Sequence, residues 1–200
     1  SITYTPFSNT ICTTPLTLSA VILDATGVNT AAGTKPRLWF KKSTENNVLP
    51  ATNTSADNGW KYVEATNTSS PFNFTFNYNL LTGSVVGGDI IQYFVVAQDV
   101  LPTPNVGTNL ASYPAGYTPA SVALAAGAFP VANTRMFTIL TNPTTITANA
   151  SPNLLCLSGN PVLFLTGDAI TGAEYQWESS PVGANTWTPI PGATTATYNL

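Results

Sequence analysis

A run of alternating side chains at residues 72–80, FNFTFNYNL, constrains the fold of this chain more than any other feature. Apolar residues at every second position alternate there with Asn and Thr, which is the period of a β-strand with one buried and one solvated face. Residues 89–99, DIIQYFVVAQD, are almost wholly apolar between two Asp residues. That pattern indicates a central strand covered on both sides or flanked by large neighbours. Together the two segments predict an all-β protein.

Further short strands are predicted around these two. In the first part of the chain they lie at 2–5, 16–24, 37–43, 60–66 and 134–140. About seven short strands separated by Gly, Pro, Asn and Asp are typical of an antiparallel β-sandwich. After TNPTT the cycle restarts, with strands predicted at 145–149, 161–167, 173–179, 187–190 and 195–200. We therefore expect two tandem β-sandwiches, over 1–141 and 142–200, the second truncated before its last strands.

Composition narrows the classes of function. Only 8% of residues are charged and the net charge is −3. The six Lys and Arg residues are dispersed and cannot form a phosphate-binding surface, so no nucleic-acid partner is predicted. No apolar run approaches the roughly 18 residues of a membrane span. The chain has no His, which removes the usual general base and a common metal ligand. Neither G-x-S-x-G nor S-x-x-K occurs. The sequence thus predicts no catalytic residues and no enzymatic activity.

Asp24 and Asp99 are the candidate metal ligands. They end the second and sixth predicted strands, which run in the same direction on facing sheets of a sandwich, so both are expected at one pole. Asn105 and backbone carbonyls of 25–34 could join them, and such hard oxygen ligands suit Ca²⁺. The alternative is that both Asp side chains cap turns by accepting hydrogen bonds from backbone N–H groups. Calcium is the one cofactor that the sequence suggests.

Residues 100–133 form an unusually long connection that carries Tyr113, Tyr117, Phe129 and five prolines. Connections of this length are usually functional or disordered. We predict that residues 100–133 form a ligand-binding surface together with the turn at 25–36. The alternative is padding that packs on its own domain, and 121–129 could make a short helical turn or a loop.

Four tryptophans and one tyrosine are predicted to serve the cores. Trp39, Trp60, Trp177 and Trp187 each sit within a strand pattern, which favours a core role over stacking on a sugar. Tyr93, at the start of the sixth strand, is predicted to be a corner tyrosine bonded to backbone.

The order of motifs in the first part resembles fibronectin type III-like modules of secreted bacterial proteins. The motifs are DATGV at 24–28, RLWFKK at 37–42, GWKYVEA at 59–65 and IQYFVVAQD at 91–99. The resemblance covers roughly residues 1–140. It implies a fibronectin type III-like sandwich and is uninformative about ligand.

The second part resembles a bacterial immunoglobulin-like repeat. Its motifs are Cys156, VLFL, YQW ending at Trp177, and WTPIPGATTATY at 187–198. In that family two more strands follow, often with a second Cys. The resemblance therefore implies that Cys156 forms a disulfide with a partner outside this segment, while Cys12 is not bonded to Cys156.

Tandem modules of this kind are similar to those of very large surface adhesins of gliding bacteria, often exported by type IX secretion. The resemblance implies an extracellular location at the cell surface, and adhesion and spacing as the function. Neighbouring repeats of the same polypeptide, and a surface glycan or protein, are the expected partners. Two alternatives are an accessory region of a secreted protease or glycan hydrolase, and a filament subunit completed by a neighbour's strand.

Overall fold

The computed structural model describes residues 1–49, 51–110, 118–125, 133–141, 146–151, 160–167 and 174–200. Within these ranges the regular elements are short strands in antiparallel sheets and a single turn of 3-10 helix at Tyr78–Leu80, so the all-β prediction is confirmed. No helix in the same ranges is long and apolar enough to cross a membrane. The chain forms two compact units, Ser1–Leu140 and Thr141–Leu200, which are described separately.

The first unit contains eight strands: β1 (Ile2–Thr3), β2 (Thr17–Ile22), β3 (Arg37–Lys42), β4 (Lys61–Glu64), β5 (Phe72–Thr75), β6 (Ile90–Gln98), β7 (Val106–Thr108) and β8 (Arg135–Thr138). One sheet has the order β1-β2-β5. The other has the order β4-β3-β6-β7, and β8 also pairs with β6. All of these strand pairs are antiparallel.

Strand β6 is covered on both faces, as its apolar sequence predicts. Ile91, Tyr93 and Val95 join the main core between the two sheets. Phe94 and Val96 lie on the opposite face and join a second apolar cluster. Successive side chains of a strand point to opposite faces, so a strand in this position needs apolar residues at nearly every position.

The main core is rich in aromatic rings. Phe76 contacts five other rings, with centroids 5.1–5.9 Å apart: Phe7, Phe40, Tyr78, Tyr93 and Phe137. Full burial of a large apolar side chain is worth about 1.5–3 kcal/mol relative to exposure. The alternating segment 72–80 supplies much of this core, since its apolar members at 72, 74, 76 and 78 are all buried.

The predicted strand at 72–80 is too long, although its alternation of burial is real. The strand ends at Thr75, and the chain then turns into the 3-10 helix at Tyr78–Leu80. The side chain of Asn77 accepts a hydrogen bond from the Asn79 N–H at 3.2 Å and so caps this turn. An Asn side chain can bond a nearby backbone N–H in place of a neighbouring strand. The alternation of apolar and polar residues does not show where this happens.

The structure describes residues 100–110, 118–125 and 133 of the long connection 100–133. The connection contains strand β7, which the sequence did not predict, and its described part at 118–125 covers the outer face of the larger sheet. Val122 is fully buried there; its carbonyl accepts a hydrogen bond from Trp39 Nε1 at 3.3 Å and its N–H donates to Gln98 Oε1 at 2.9 Å. These parts of the connection therefore pack on their own sandwich.

Strands β2 and β6 run in the same direction, which defines two poles of the first unit. Both end at the pole that holds Asp99, and both begin near Tyr78; we call these the Asp99 pole and the Tyr78 pole. Ser1 lies at the Asp99 pole, where its ammonium donates to the Leu23 carbonyl at 2.5 Å. Ile139 lies at the Tyr78 pole, where its carbonyl accepts from the Gly88 N–H at 2.7 Å.

The second unit contains five strands: β9 (Ile146–Ser151), β10 (Val162–Gly167), β11 (Glu178–Ser179), β12 (Thr188–Pro189) and β13 (Thr197–Asn199). They form a sheet of order β13-β10-β9 and a hairpin of β11 and β12. Each overlaps a strand predicted from the sequence, although β11 takes up only the last two residues of the predicted strand at 173–179. Among the described residues of this unit only Pro161 and Ala193 are fully buried.

Candidate functional site

The structure brings the three predicted metal ligands together at the Asp99 pole. Asp24 Oδ1 accepts hydrogen bonds from the N–H and the hydroxyl of Thr26, at 2.9 and 2.6 Å. Asp99 Oδ1 accepts from the N–H groups of Leu101 and Asn105, at 3.3 and 3.0 Å. Asp99 Oδ2 accepts from Asn105 Nδ2 at 2.6 Å and lies 3.4 Å from the Thr26 hydroxyl.

These hydrogen bonds lower the pKa of both carboxyl groups. For Asp24 the hydroxyl and N–H of Thr26 are the main cause of the lowered pKa. For Asp99 burial is the largest single influence and opposes ionisation. The hydrogen bonds from Asn105, Leu101 and Thr26 together lower the pKa by more than burial raises it, so the pKa of Asp99 is lowered. Both side chains are therefore ionised anchors for the turns that follow β2 and β6.

This network is the turn-capping arrangement, which the sequence analysis gave as the alternative to a calcium site. Three of the four carboxylate oxygens of Asp24 and Asp99 already accept N–H or O–H groups. Within the described ranges no group of three or more Asp, Glu, Cys or His residues could hold a metal ion. Ca²⁺ takes six to eight oxygen ligands, and few of the carboxylate oxygens at this pole are free to coordinate it.

Several predicted site residues lie outside the described residues, namely Tyr113, Tyr117, Phe129 and Cys156. Cys12 is described and is a free thiol, with its Sγ 2.8 Å from the Thr14 hydroxyl. That Cys12 is not bonded to Cys156 stays a prediction, because Cys156 lies outside the described residues.

The aromatic residues assigned to the cores divide between the two units. Trp39 and Trp60 are buried, as predicted. Tyr93 is bonded to backbone, as predicted, but its partner is the Phe7 N–H at 3.0 Å, so it pins the N-terminal segment. Trp187 is 63% exposed, so its predicted core role is wrong within this structure.

Trp187 lies instead beside a cleft of about 270 Å³ in the second unit. The cleft is lined mainly by Ala148, Leu165, Tyr175 and Trp177. Trp177 is half-buried and its indole N–H donates to the Thr195 carbonyl at 2.9 Å. Trp187 immediately precedes β12, and its side chain is exposed beside the β11–β12 hairpin.

A groove that the sequence did not predict lies at the Tyr78 pole. We call it the Tyr78 groove. It has a volume of about 550 Å³ and is open to solvent. Its lining comes from three separate segments, and the residues are Thr13, Pro15, Ser55, Asn77, Tyr78, Asn79, Leu81, Gly83, Ser84 and Val85. These segments are distant in sequence and come together only in the folded protein, so no local sequence motif predicts the site.

The floor of the groove is apolar and its rim is neutral and polar. Tyr78, Leu81 and Val85 are buried and form the floor. The Tyr78 hydroxyl is buried without a hydrogen-bond partner, and burial raises the pKa of Tyr78 to about 12, with the nearby Cys12 thiol adding to the shift. The tyrosine is therefore neutral at physiological pH, as is every other lining residue.

Four polar side chains of the rim make no hydrogen bond within the described residues, whereas Asn77 caps the 3-10 turn. The hydroxyls of Thr13, Ser55 and Ser84 and the side-chain amide of Asn79 make no hydrogen bond within the described structure, and all four residues are exposed. Their donors and acceptors therefore face water. The groove is in this respect the reverse of the Asp99 pole, where the polar groups bond to one another.

Comparison with known proteins adds one match. Residues 137–200, which take in the second unit, match the model of the family described as Domain of unknown function (DUF8696). Searches of curated proteins and of solved structures found no match.

Proposed function

We propose that this chain forms non-catalytic modules of a large extracellular surface protein, and that these modules serve adhesion and spacing. The observation that carries the proposal is the path of the chain through the first unit. Ser1 lies at the Asp99 pole and Ile139 at the Tyr78 pole, so the unit is traversed from one pole to the other. Strand β6 has nine residues and spans about 30 Å between the poles.

A unit with entry and exit at opposite poles lengthens any polypeptide of which it is part. A unit with both ends at one pole would instead hang to the side. Two features make the first unit stiff enough for a spacer: a core packed with aromatic rings, and an outer cluster that covers the second face of the larger sheet. Stiffness follows because such packed interiors deform little.

The charged side chains of the described first unit support a structural rather than a catalytic role. Lys41 and Lys42 are buried; Lys41 Nζ donates to the Glu45 carbonyl at 3.0 Å, and Lys42 Nζ donates to the Ser84 carbonyl at 2.6 Å. Glu45 accepts the Lys42 N–H at 2.9 Å and the Thr82 N–H at 2.8 Å. These groups fix loops at the Tyr78 pole and present no nucleophile beside a base.

The proposal is tested by displaying residues 1–200 on a non-adherent cell and measuring attachment under flow to surfaces coated with glycans or matrix proteins. We expect attachment that depends on the folded chain. A Phe74→Asp variant places a charge in the core, since Phe74 is fully buried, and is the unfolded control at matched display level. Absence of attachment to every coat, or turnover of peptide, ester or glycan substrates by the purified chain, would contradict the proposal.

A further inference from the structure

The Tyr78 groove has no charge with which to recognise an ionic ligand. None of its ten lining residues is ionised at neutral pH, since Tyr78 is its sole ionisable member and burial raises that pKa to about 12. Phosphate, sulfate or carboxylate ligands are normally held by Arg, Lys or clustered N–H groups. The lining therefore matches a ligand that is itself neutral.

The arrangement of apolar and polar groups matches a ligand with two kinds of surface. Tyr78, Leu81 and Val85 offer an apolar floor, and hydroxyl and amide side chains surround it. A pyranose ring has a face of C–H groups and an edge of hydroxyls, so the face fits the floor and the edge fits the rim. The volume of about 550 Å³ lies within the usual range of ligand sites, about 300–1,000 Å³.

The rim is held in place before any ligand arrives. The Leu80 N–H donates to the Asn77 carbonyl at 3.0 Å, closing the 3-10 turn. On the other side Lys42 Nζ holds the Ser84 carbonyl and also lies 3.1 Å from Asp89 Oδ2. A rim fixed in this way loses little conformational freedom on binding, which favours affinity.

The rim side chains are also free to exchange partners. In the absence of ligand, Thr13, Ser55, Asn79 and Ser84 face water, so a ligand hydroxyl replaces a water-mediated bond with a direct one. Exchange of this kind is nearly neutral in free energy, and the floor adds only a small contact, because Tyr78, Leu81 and Val85 are at most 9% exposed. Shallow sites of this type bind weakly.

From these observations we infer that the Tyr78 groove is a binding site for a neutral saccharide. The inference rests on the proposed role in adhesion, to which it assigns a site and a class of ligand. It places the site at the pole opposite to the one that the sequence pattern favoured.

The test is a titration of ¹⁵N-labelled residues 1–200 with neutral oligosaccharides of glucose, galactose, mannose and N-acetylglucosamine, followed by amide chemical shifts. We expect one of these sugars to give saturable shifts confined to the amides of 13–14, 55 and 77–85, with a Kd in the millimolar range. A sulfated oligosaccharide and an unstructured peptide serve as ligands of other classes.

Two Ser→Trp variants make the test specific. Ser55→Trp places a large ring on the exposed rim and should weaken saccharide binding at least about tenfold, or 1.4 kcal/mol. Ser69→Trp makes the same change at an exposed position in the loop between β4 and β5, and should leave the Kd unchanged. Unperturbed spectra outside the substituted loops show that both variants fold.

The outcomes separate the two proposals because the titration needs no cell surface. The groove assignment is overturned if no neutral saccharide shifts these amides, if Ser55→Trp binds as well as Ser69→Trp, or if the sulfated sugar or the peptide binds there instead. If the displayed chain attaches to surfaces without saccharide binding, the groove assignment alone fails. If saccharide binds but the displayed chain attaches to nothing, the adhesion role alone fails.

Discussion

The two poles of the first unit are built from the same kinds of residue, yet their polar groups are used in opposite ways. At the Asp99 pole, Asp99 is buried and accepts hydrogen bonds from Leu101 and Asn105, with the Thr26 hydroxyl close by. At the Tyr78 pole, the side chains of Ser84 and Asn79 are exposed and have no partner in the described structure. The Asp99 pole is closed by its own hydrogen bonds. At the Tyr78 pole, Lys42 and Glu45 fix the loops, but the side chains on the rim of the groove face solvent.

A structural polar cluster and a binding surface differ in whether their polar groups bond to one another. Donors and acceptors that satisfy one another inside the protein contribute to its stability, and a ligand can engage them only by breaking those bonds. Donors and acceptors that face water contribute little to stability but remain available. The Asp99 pole should therefore affect folding when altered, and the rim of the Tyr78 groove should affect binding.

The largest expected effect comes from the core beneath the Tyr78 pole. Phe76→Ala removes a ring that contacts five others and should lower the free energy of unfolding by about 3–5 kcal/mol, the usual result for a buried Phe. Urea denaturation followed by the fluorescence of the buried Trp39 and Trp60 measures it. Val86→Ala, at a side chain 53% exposed, should change the same quantity by less than about 0.5 kcal/mol. Equal effects of the two variants would mean that the ring cluster does not support this pole.

The next effect tests the closed pole. Asp99→Asn keeps the size of the side chain but replaces an acceptor-only group, so donors of Asn105 and Leu101 lose charge-assisted bonds. We expect a clear decrease in Tm. Asp24→Asn is the matched control, because Asp24 is exposed and bonded only to Thr26, and its effect should be smaller. A larger decrease for Asp24→Asn would reverse our assignment of Asp99 as the main anchor of the pole.

The dependence of Tm on pH below neutrality also tests the Asp99 pole. The pKa of Asp99 in the folded protein is lowered, so its contribution is fully present above the unfolded pKa of about 3.9 and is lost as pH falls through the lower folded pKa. The Tm difference between wild type and Asp99→Asn should thus be constant near neutral pH and shrink below about pH 4. Thermal melts in buffers on either side of that pH measure it. A difference that instead grows as the pH falls would show that the carboxylate is not stabilised by its neighbours.

The sequence predicted the Asp99 pole better than the Tyr78 pole, for a physical reason. Asp24 and Asp99 each follow an apolar strand, so alternation and strand direction were enough to place them together. The Tyr78 groove joins residues as far apart as Thr13, Ser55 and Ser84, and no local pattern reports such a meeting. The length of β5 was overestimated because burial continues to alternate beyond Thr75 after its hydrogen-bonded ladder has ended.

The second unit shows where local pattern succeeds for strands and fails for burial. All five of its strands overlap predicted segments, since short alternating runs bounded by Gly and Pro define strands locally. Whether Trp187 is buried depends on what packs over the β11–β12 hairpin, and this is a property of tertiary structure. The exposed indole is consequently the point at which sequence reasoning about this unit is wrong.

A small effect is expected from the buried hydroxyl at the floor of the groove. Tyr78→Phe removes a hydroxyl that is buried without a partner, so we expect the free energy of unfolding to rise by up to about 1 kcal/mol. Tyr93→Phe is the matched control, because the Tyr93 hydroxyl accepts the Phe7 N–H at 3.0 Å; its loss should destabilise by about 1–2 kcal/mol. Both are measured by urea denaturation. Destabilisation by Tyr78→Phe would mean that the hydroxyl does have a partner, and that the floor is tied to its surroundings.

The smallest expected effect is that of calcium on the Asp99 pole. Two carboxylates with three oxygens already bonded to N–H and O–H donors leave too few ligands for an ion that takes six to eight. Binding to the folded state alone would raise Tm by mass action, so Tm is a direct readout. We expect millimolar Ca²⁺ or EDTA to leave the Tm of residues 1–200 unchanged, with Mg²⁺ at the same ionic strength as the control. If Ca²⁺ raises the Tm of the wild type but not that of Asp99→Asn, the Asp99 pole is a metal site. The contrast between a closed pole and an open one would then fail, because both poles would be able to take a ligand.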